Sequence, residues 1–337
     1  MIEILSLGFL TLHPQSQSDY ATNVAMQSYK YGITVYRFHP TNWDPLTNFV
    51  KGERFHHNLK RWLTSTFPLP NFIYDRCYYT QPLQTNTYKV VKQLKKQTDF
   101  LSIGLPNKWT VYNMIKNYPT LEKHLPQTIL VRNAEQIMKQ LMHKKQLVLK
   151  PIHGAHGKGI FFLSKRLNNT IVVQTHQHGH KRHTSFSQQQ FKQWWQTLKR
   201  NHHYIIQPFL PLLNDKKEPY DIRILMQKNG FGHWQETGRG IRYGKKGNYV
   251  SNLHNGGRIT TFDDGLSHVT KEKKQHIEKQ LKRCISIIPS HLEQQHGPLF
   301  EIAIDFGIDQ SGNCWILEVN SKPGYQTILQ TTTNELY

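Results

Sequence analysis

Two β-prone runs stand back to back late in this chain, "LFEIAIDFGID" (residues 299–309) and "NCWILEVN" (313–320). They are joined through "QSGN", whose Ser, Gly and Asn favour a turn, so the pair reads as an antiparallel hairpin. Side chains two apart share one face of a strand. Glu301, Ala303 and Asp305 therefore point one way, and Glu318 and Asn320 share a face across the turn. If the two faces coincide, Asp305, Glu318 and Asn320 converge. Clustered oxygen donors are costly unless cations occupy them. Hard oxygens without His or Cys suit Mg²⁺, which keeps waters and usually binds together with substrate phosphates. The rival reading is an exposed hairpin face with ordinary surface carboxylates.

Magnesium that holds phosphates needs a second element to cradle them. "KPIHGAHGKGI" (150–160) offers Lys150, then Gly154, Gly157 and Gly159 around Lys158. Glycines let backbone N–H groups approach anionic oxygens closely, and the lysines add charge. Gly159 is followed by Ile160 and a strand-like run, which excludes a Walker A loop. The flanking runs "LVLK" and "GIFFLS" predict a hairpin. Tight hairpins use glycine too, so the loop gains meaning only beside the carboxylate pair.

Lys and Arg total 43 against 22 acidic residues, a net charge of +21 on 337 residues. Such a field attracts polyanions: nucleic acid, nucleotides, acidic polypeptides or an anionic surface. Simple solubility is the bland alternative. The length allows two or three domains with a well-buried core. Cys77, Cys284 and Cys314 are far apart with no CxxC pair, which argues against a disulfide framework or a cysteine zinc site and fits a reducing compartment. The start "MIEILSLGFLTL" carries Glu3 and no early Lys or Arg, so it reads as a buried first strand, not a signal peptide. No apolar run approaches the ~18 residues of a membrane span. Cytoplasm is the expected location.

Residues 1–100 contain three strand-like runs, "IEILSLGFL", "GITVYRFH" and "NFIYDRCYY". The polar stretches Ser18–Lys30 and Lys51–Thr64 are expected to be helices between them, giving a small parallel α/β unit. Further along come a helix at "WTVYNMIKNY", a strand at "LPQTILV" and a helix over Asn133–Lys144. A polar, His-rich segment, Thr170–Thr184, follows the glycine hairpin. Its His176, His178, His180 and His183 invite a metal hypothesis, but no carboxylate or Cys accompanies them, so a solvated loop or anion-facing surface is the reading preferred. "FKQWWQTL" reads as a helix docked by its aromatic face, and "YIIQPFL", "YDIRILMQ" and "GHWQETGRGIRY" as strands. In Lys271–Ile288, apolar Ile277, Leu281, Ile285 and Ile288 recur three or four apart, as on an amphipathic helix.

These pieces, in this order, resemble the ATP-grasp enzymes. "GLPNKWTVYNMI", "LPQT", "VLKPIHGAHGKGI", "YDIRILMQ", "SNLHNGG" and "ILEVNSKPG" look most like the YheC/YheD-type, endospore coat-associated branch, and more distantly like the ribosomal-protein glutamate ligases. The resemblance spans residues 103–325. It implies an α/β (α+β) ATP-grasp fold, two α+β subdomains gripping ATP, preceded by a small parallel α/β domain over residues 1–100. The subdomains would be residues 101–206 with the Gly-rich flap and residues 207–337 with the metal hairpin.

The resemblance also implies roles. Asp305, Glu318 and Asn320 would hold two Mg²⁺ ions, with Mn²⁺ as a substitute. Lys108 and Lys150 would reach the ATP phosphates, and His153, Gly154, Gly157, Lys158 and Gly159 would form the flap over them. Gln207, Pro208, Phe209 and Leu210 would be the hinge that reads adenine. Arg223 and Arg242 would face the phosphates, while Asn252 and Arg258 would line the acceptor side. Two departures from D-alanine–D-alanine ligases stand out. Ala303 occupies the place of an arginine two residues before the metal aspartate, so oxyanion stabilisation falls to Arg242 or Arg258. The hinge begins with Gln207 in place of Glu, and Gln can still accept the adenine amino hydrogen.

The implied activity is a carboxylate–amine ligase working through an acyl phosphate, on an acidic or peptide-like substrate, in a sporulating cell and in company with spore coat proteins. An ATP-binding coat protein without turnover is the alternative from another class. A nucleic-acid binder would rest on charge and aromatics alone, with no recognisable binding motif.

Overall fold

The computed structural model describes residues 5–13, 18–79, 85–154, 157–166, 168–177, 180–200, 202–247 and 257–324. The chain divides into two compact units, Met1–Gly104 with Pro298–Phe300, and Leu105–Gly297 with Glu301–Asn334.

In the first unit, β1 (Ser6–Leu10) runs parallel to β2 (Thr34–Phe38), and α1 (Ser18–Ser28) joins them in sequence. The hairpin formed by β4 (Phe49–His56) and β5 (Arg61–Pro68) follows β3 (Trp43–Asp44). The next strand, β6 (Phe72–Asp75), is parallel to β1 on its other side, and α2 (Thr85–Leu94) leads from it to β7 (Asp99–Phe100). The parallel core matches the sequence expectation. The helix expected over Lys51–Thr64 is instead the β4–β5 hairpin. Polar residues masked a strand pattern whose apolar members pair across the ladder, Val50 with Phe67 and Phe55 with Trp62. Lys60 takes a left-handed φ of 49° in the connecting turn. Glu53 on β4 binds the buried Arg37 of β2 at 2.6 Å, and that guanidinium lies 4.4 Å over the Trp62 ring. The Glu53 charge is thus spent inside the sheet, while Lys51 and Arg54 of the same strand are exposed.

The second unit carries two sheets. The first comprises β8 (Ile129–Leu130), β9 (Gln146–Pro151), β10 (Phe161–Lys165), β11 (Ile171–Gln177), β12 (His180–Phe186) and β13 (Tyr204–Pro208), in spatial order β12-β11-β10-β9-β13-β8. Besides α3 (Lys108–Lys116) and α4 (Pro119–Glu122), this stretch supplies α5 (Ala134–His143) and α6 (Gln188–Leu198). Asn133 caps α5, and a Ser187/Gln190 capping box starts α6. Ile137, Leu141, Phe191 and Trp195 of these two helices share one core with Leu147, Leu149, Leu163 and Ile206 of the sheet. The opposite sheet face carries Val148, Lys150, Phe162, Gln174 and Gln207. The His-rich segment is a β-hairpin, not a loop, because Val172 and Val173 lead into it and extend the sheet. His178 lies outside the described residues.

The second sheet contains β14 (Tyr220–Lys228), β15 (Trp234–Tyr243), β16 (Arg258–Thr260), β17 (Glu301–Ile308) and β18 (Cys314–Asn320), ordered β16-β15-β14-β17-β18. Between β16 and β17 lie α7 (Phe262–Gly265) and the long α8 (Lys271–His296). All four predicted apolar positions of α8 are buried. Helix α8 continues past the expected Ile288 with Pro289 inside it and buried. His291 of α8 meets the Met114 carbonyl at 2.8 Å, tying α3 to this half of the unit. No described helix is long and apolar enough to cross a membrane.

Candidate functional site

The β17–β18 ladder pairs Ala303 with Asn320 and Asp305 with Glu318, then Phe306 with Ile316. Leu317 is the extra residue of a β-bulge. The bulge re-aims the strand. Cys314, Ile316 and Val319 all lie on the face of Ile304, Phe306 and Ile308, while Glu318 and Asn320 join Asp305 on the other. In a regular ladder Ile316 and Glu318 would share a face, and one of them would be misplaced.

Asp305 is 5% exposed, which disposes of the surface reading for it. Its carboxylate accepts two hydrogen bonds from Arg223 on β14, at 2.7 and 2.8 Å, and meets Arg242 of β15 at 3.0 Å. Burial works to raise the Asp305 pKa, but the two guanidiniums override it and hold the carboxyl well below the usual carboxylate range. Arg242 is in turn gripped by Asp221 at 2.6 and 2.7 Å, and both are buried. Asp221 was not singled out from the sequence. The available signal was its place two residues before Arg223 in "YDIR", charges at strand period inside an apolar run.

Two lysines face this carboxylate cluster from the other half of the unit. Lys108, the first residue of α3, reaches Glu318 at 3.3 Å and donates to the Gly154 carbonyl at 2.5 Å. Lys150 projects from β9. Desolvation pushes its ammonium below the ordinary lysine range, Lys108 adds to this, and Glu318 and Asp305 oppose it. Among the described residues Lys150 has no hydrogen-bond or ion-pair partner. Gly154, Gly157 and Gly159 take φ values of 136°, 71° and 73°, which explains why this connection is built from glycine. Lys158 and His153 are exposed on it, and partial burial with Lys108 nearby lowers the His153 pKa.

At the end of β13, Gln207 is buried and donates from its amide nitrogen to Thr128 at 2.8 Å. Pro208 still pairs with Leu147 of β9, and the Phe209 N–H donates to the Gln146 carbonyl at 3.1 Å. Leu210 then carries the chain toward the second sheet, with Leu212 N–H bonded to its carbonyl at 2.9 Å. Arg258 is not brought to the cluster. It pairs with Tyr243 across β15–β16, on the sheet face opposite Arg242, where it lies 4.0 Å over the Tyr243 ring and binds Glu218 at 2.8 Å. Asn252 lies outside the described residues.

The donor set fits a divalent cation. Asp305, Glu318 and Asn320 are hard oxygen donors on one sheet face, and an unpartnered lysine beside them fits phosphate oxygens. Among the described residues no group of three or more His, Cys, Asp and Glu offers a rival metal centre.

The endospore coat-associated protein YheC of Bacillus subtilis is 33% identical over 98% of this chain and 92% of its own length. In fold, the chain is similar to D-cycloserine synthetase DcsG, with a TM-score of 0.53 at 12% identity over 97% of this chain and 95% of that one. It is also similar to D-alanyl-alanine synthetase A of Vibrio cholerae, with a TM-score of 0.51 at 11% identity over 96% and 90%. The family model described as YheC/D-like ATP-grasp matches residues 97–337, which include every residue of the cluster built above. The chain therefore belongs to the YheC/D-like ATP-grasp family.

Proposed function

We propose that this protein is an ATP- and Mg²⁺-dependent carboxylate–amine ligase. The observation that carries the reading is Lys150: a desolvated ammonium without a partner among the described residues, next to Asp305 and Glu318. A desolvated cation without a counter-charge is costly, and the phosphates of a bound nucleotide would supply one.

Residues 101–206 and 207–337 act as two jaws, with residues 1–100 as a preceding domain. Asp305, Glu318 and Asn320 would hold magnesium, which when bound would supply charge neutralisation for the phosphates. Lys108, Lys150 and the flap from His153 to Gly159 bind the phosphates, and Gln207 to Leu210 hold adenine, with Gln207 Oε1 as an acceptor. A substrate carboxylate oxygen attacks the γ-phosphorus, the bond to the β-phosphate oxygen breaks, and ADP leaves an acyl phosphate. An amine then attacks the acyl carbon. The C–O bond to phosphate breaks, the amine loses a proton, and an amide and inorganic phosphate result. Arg223 and Arg242 stabilise transferred charge, and Arg242 serves the tetrahedral oxyanion, since Arg258 sits on the other sheet face.

An acidic or peptide-like carboxylate suits the +21 charge. The name of the Bacillus relative supports a setting in sporulation and the spore coat. The test is ADP release from ATP and Mg²⁺ in the presence of cell extract, with a mass-spectrometric search for an amide product. Glu318→Gln is expected to abolish release with the fold intact. ATP binding without any release from extract would overturn the ligase reading in favour of an ATP-binding coat protein.

A further inference from the structure

The positive charge is not spread evenly. Residues 105–206 hold sixteen Lys and Arg with Glu122 and Glu135 as their only acids, and no Asp or Glu stands between Glu135 and Asp215. That acid-free stretch supplies most of the first sheet of the second unit. Its outermost strand, β12, pairs with β11 alone among the described residues. Lys181, Arg182, His183, Thr184 and Ser185 are all exposed there.

Register decides where these side chains point. His183 pairs with Gln174, Gln174 with Phe162, and Phe162 with Val148. Lys181 and His183 therefore stand on the sheet face that also carries Lys150, while Arg182 points to the other face. Cations on an edge strand commonly serve to repel other edges. Here the charge extends well beyond the edge, so the same device that repels neutral or basic strands admits an acidic one. An edge strand also offers a row of backbone N–H and C=O groups that only another polypeptide strand can match. Nucleic acid fits less well. Between Met142 and Phe231 no described large hydrophobic side chain is exposed, so the described residues of this stretch offer no exposed base-stacking platform.

We propose that the outer edge of β12 docks an extended acidic polypeptide segment as an added strand, with Lys181, Arg182 and His183 reading its carboxylates. It rests on the ligase reading only in making the docked chain the substrate or its carrier. Strands lie about 4.8 Å apart, so a strand added outside β12 stands four spacings, about 19 Å or six extended residues, from β9. A chain anchored on β12 can therefore present a carboxylate near Lys150 only from a point at least about that far along it.

The full-length protein is titrated with a fluorescein-labelled peptide of about sixteen alternating Glu and Thr residues, long enough to span β12. The matching Gln/Thr peptide and a labelled oligothymidylate serve as comparisons, at about 50 mM salt where surface charge is weakly screened. The acidic peptide is expected to bind, to slow amide exchange along His180–Phe186, and to lose about tenfold or more in affinity with Lys181→Glu/Arg182→Glu. ATP binding by that double variant is expected to be unchanged, which shows that the fold is intact. Equal binding of the Gln/Thr peptide, tighter binding of the oligothymidylate, or no exchange protection on β12 would each overturn the proposal. Glu318→Gln is expected to keep peptide binding, so failure of the ligase reading and failure of this docking site are seen separately.

Discussion

At the scale of single residues, the site balances one partnered charge cluster against one unpartnered charge. Asp221, Arg242, Asp305 and the half-buried Arg223 form a continuous chain of ion pairs, with paired contacts at both ends and a single one between Arg242 and Asp305. Removing one member leaves its neighbours desolvated, so Arg242→Met is expected to destabilise the protein by about 3–5 kcal/mol in urea unfolding. The double variant Asp221→Leu/Arg242→Met should recover much of that loss, because the orphaned carboxylate is gone. Lys150 predicts the opposite sign. Desolvation disfavours its charged form in the absence of ligand. Lys150→Met is therefore expected to stabilise the ligand-free protein, by about 1 kcal/mol, while weakening ATP binding in calorimetry. A variant that lost stability and kept ATP affinity would contradict the role given to Lys150.

At the scale of elements, the bulge at Leu317 and a buried histidine place β18. The His124 carbonyl accepts from Ile316 N–H at 2.8 Å, and its ring nitrogen Nδ1 donates to the Cys314 carbonyl at 2.9 Å. Burial lowers the His124 pKa below its ordinary 6.5; the bond to Cys314 opposes this, and Lys123 and Arg283 add to it. The unfolded chain thus takes up a proton more readily than the folded one. The contribution of His124 to stability is fully present above pH 6.5 and is lost as pH falls through the lowered folded value. Urea midpoints measured between neutral and acidic pH should fall, and His124→Gln should make that fall shallower. His39, His57 and His153 are shifted in the same direction, so a residual slope is expected in the variant.

At the scale of the whole molecule, two compact units predict unfolding that departs from a single two-state transition. Gly52 tests this. A Cβ there would lie 2.6 Å from the Arg37 carbonyl oxygen and 2.8 Å from Phe38 Cβ. Gly52→Ala is expected to cost about 1–3 kcal/mol by overpacking, and to move only the transition of the first unit. Trp43 and Trp62 report on that unit by fluorescence, and a uniform shift of all probes would refute its independence.

The sequence by itself determined the pieces whose pattern is local. Asp305, Glu318 and Asn320 were legible because polar residues at strand period stand out in apolar runs. The α8 face, the glycine connection and the parallel core of the first unit were legible for the same reason: period and backbone demand are properties of neighbours in the chain. What only the tertiary structure decided depends on partners far away in sequence. Lys51–Thr64 looked helical until pairing with Trp62, Phe67 and the buried Arg37 gave its polar letters a place in a sheet. Arg242 and Arg258 were equal candidates in the sequence, and strand register put them on opposite faces. Asp221 became visible only as the group that holds Arg242. Even the β17–β18 hairpin needed an unpaired Leu317, between the Asp305–Glu318 and Phe306–Ile316 pairs, to put its oxygen donors on one face and its apolar residues on the other.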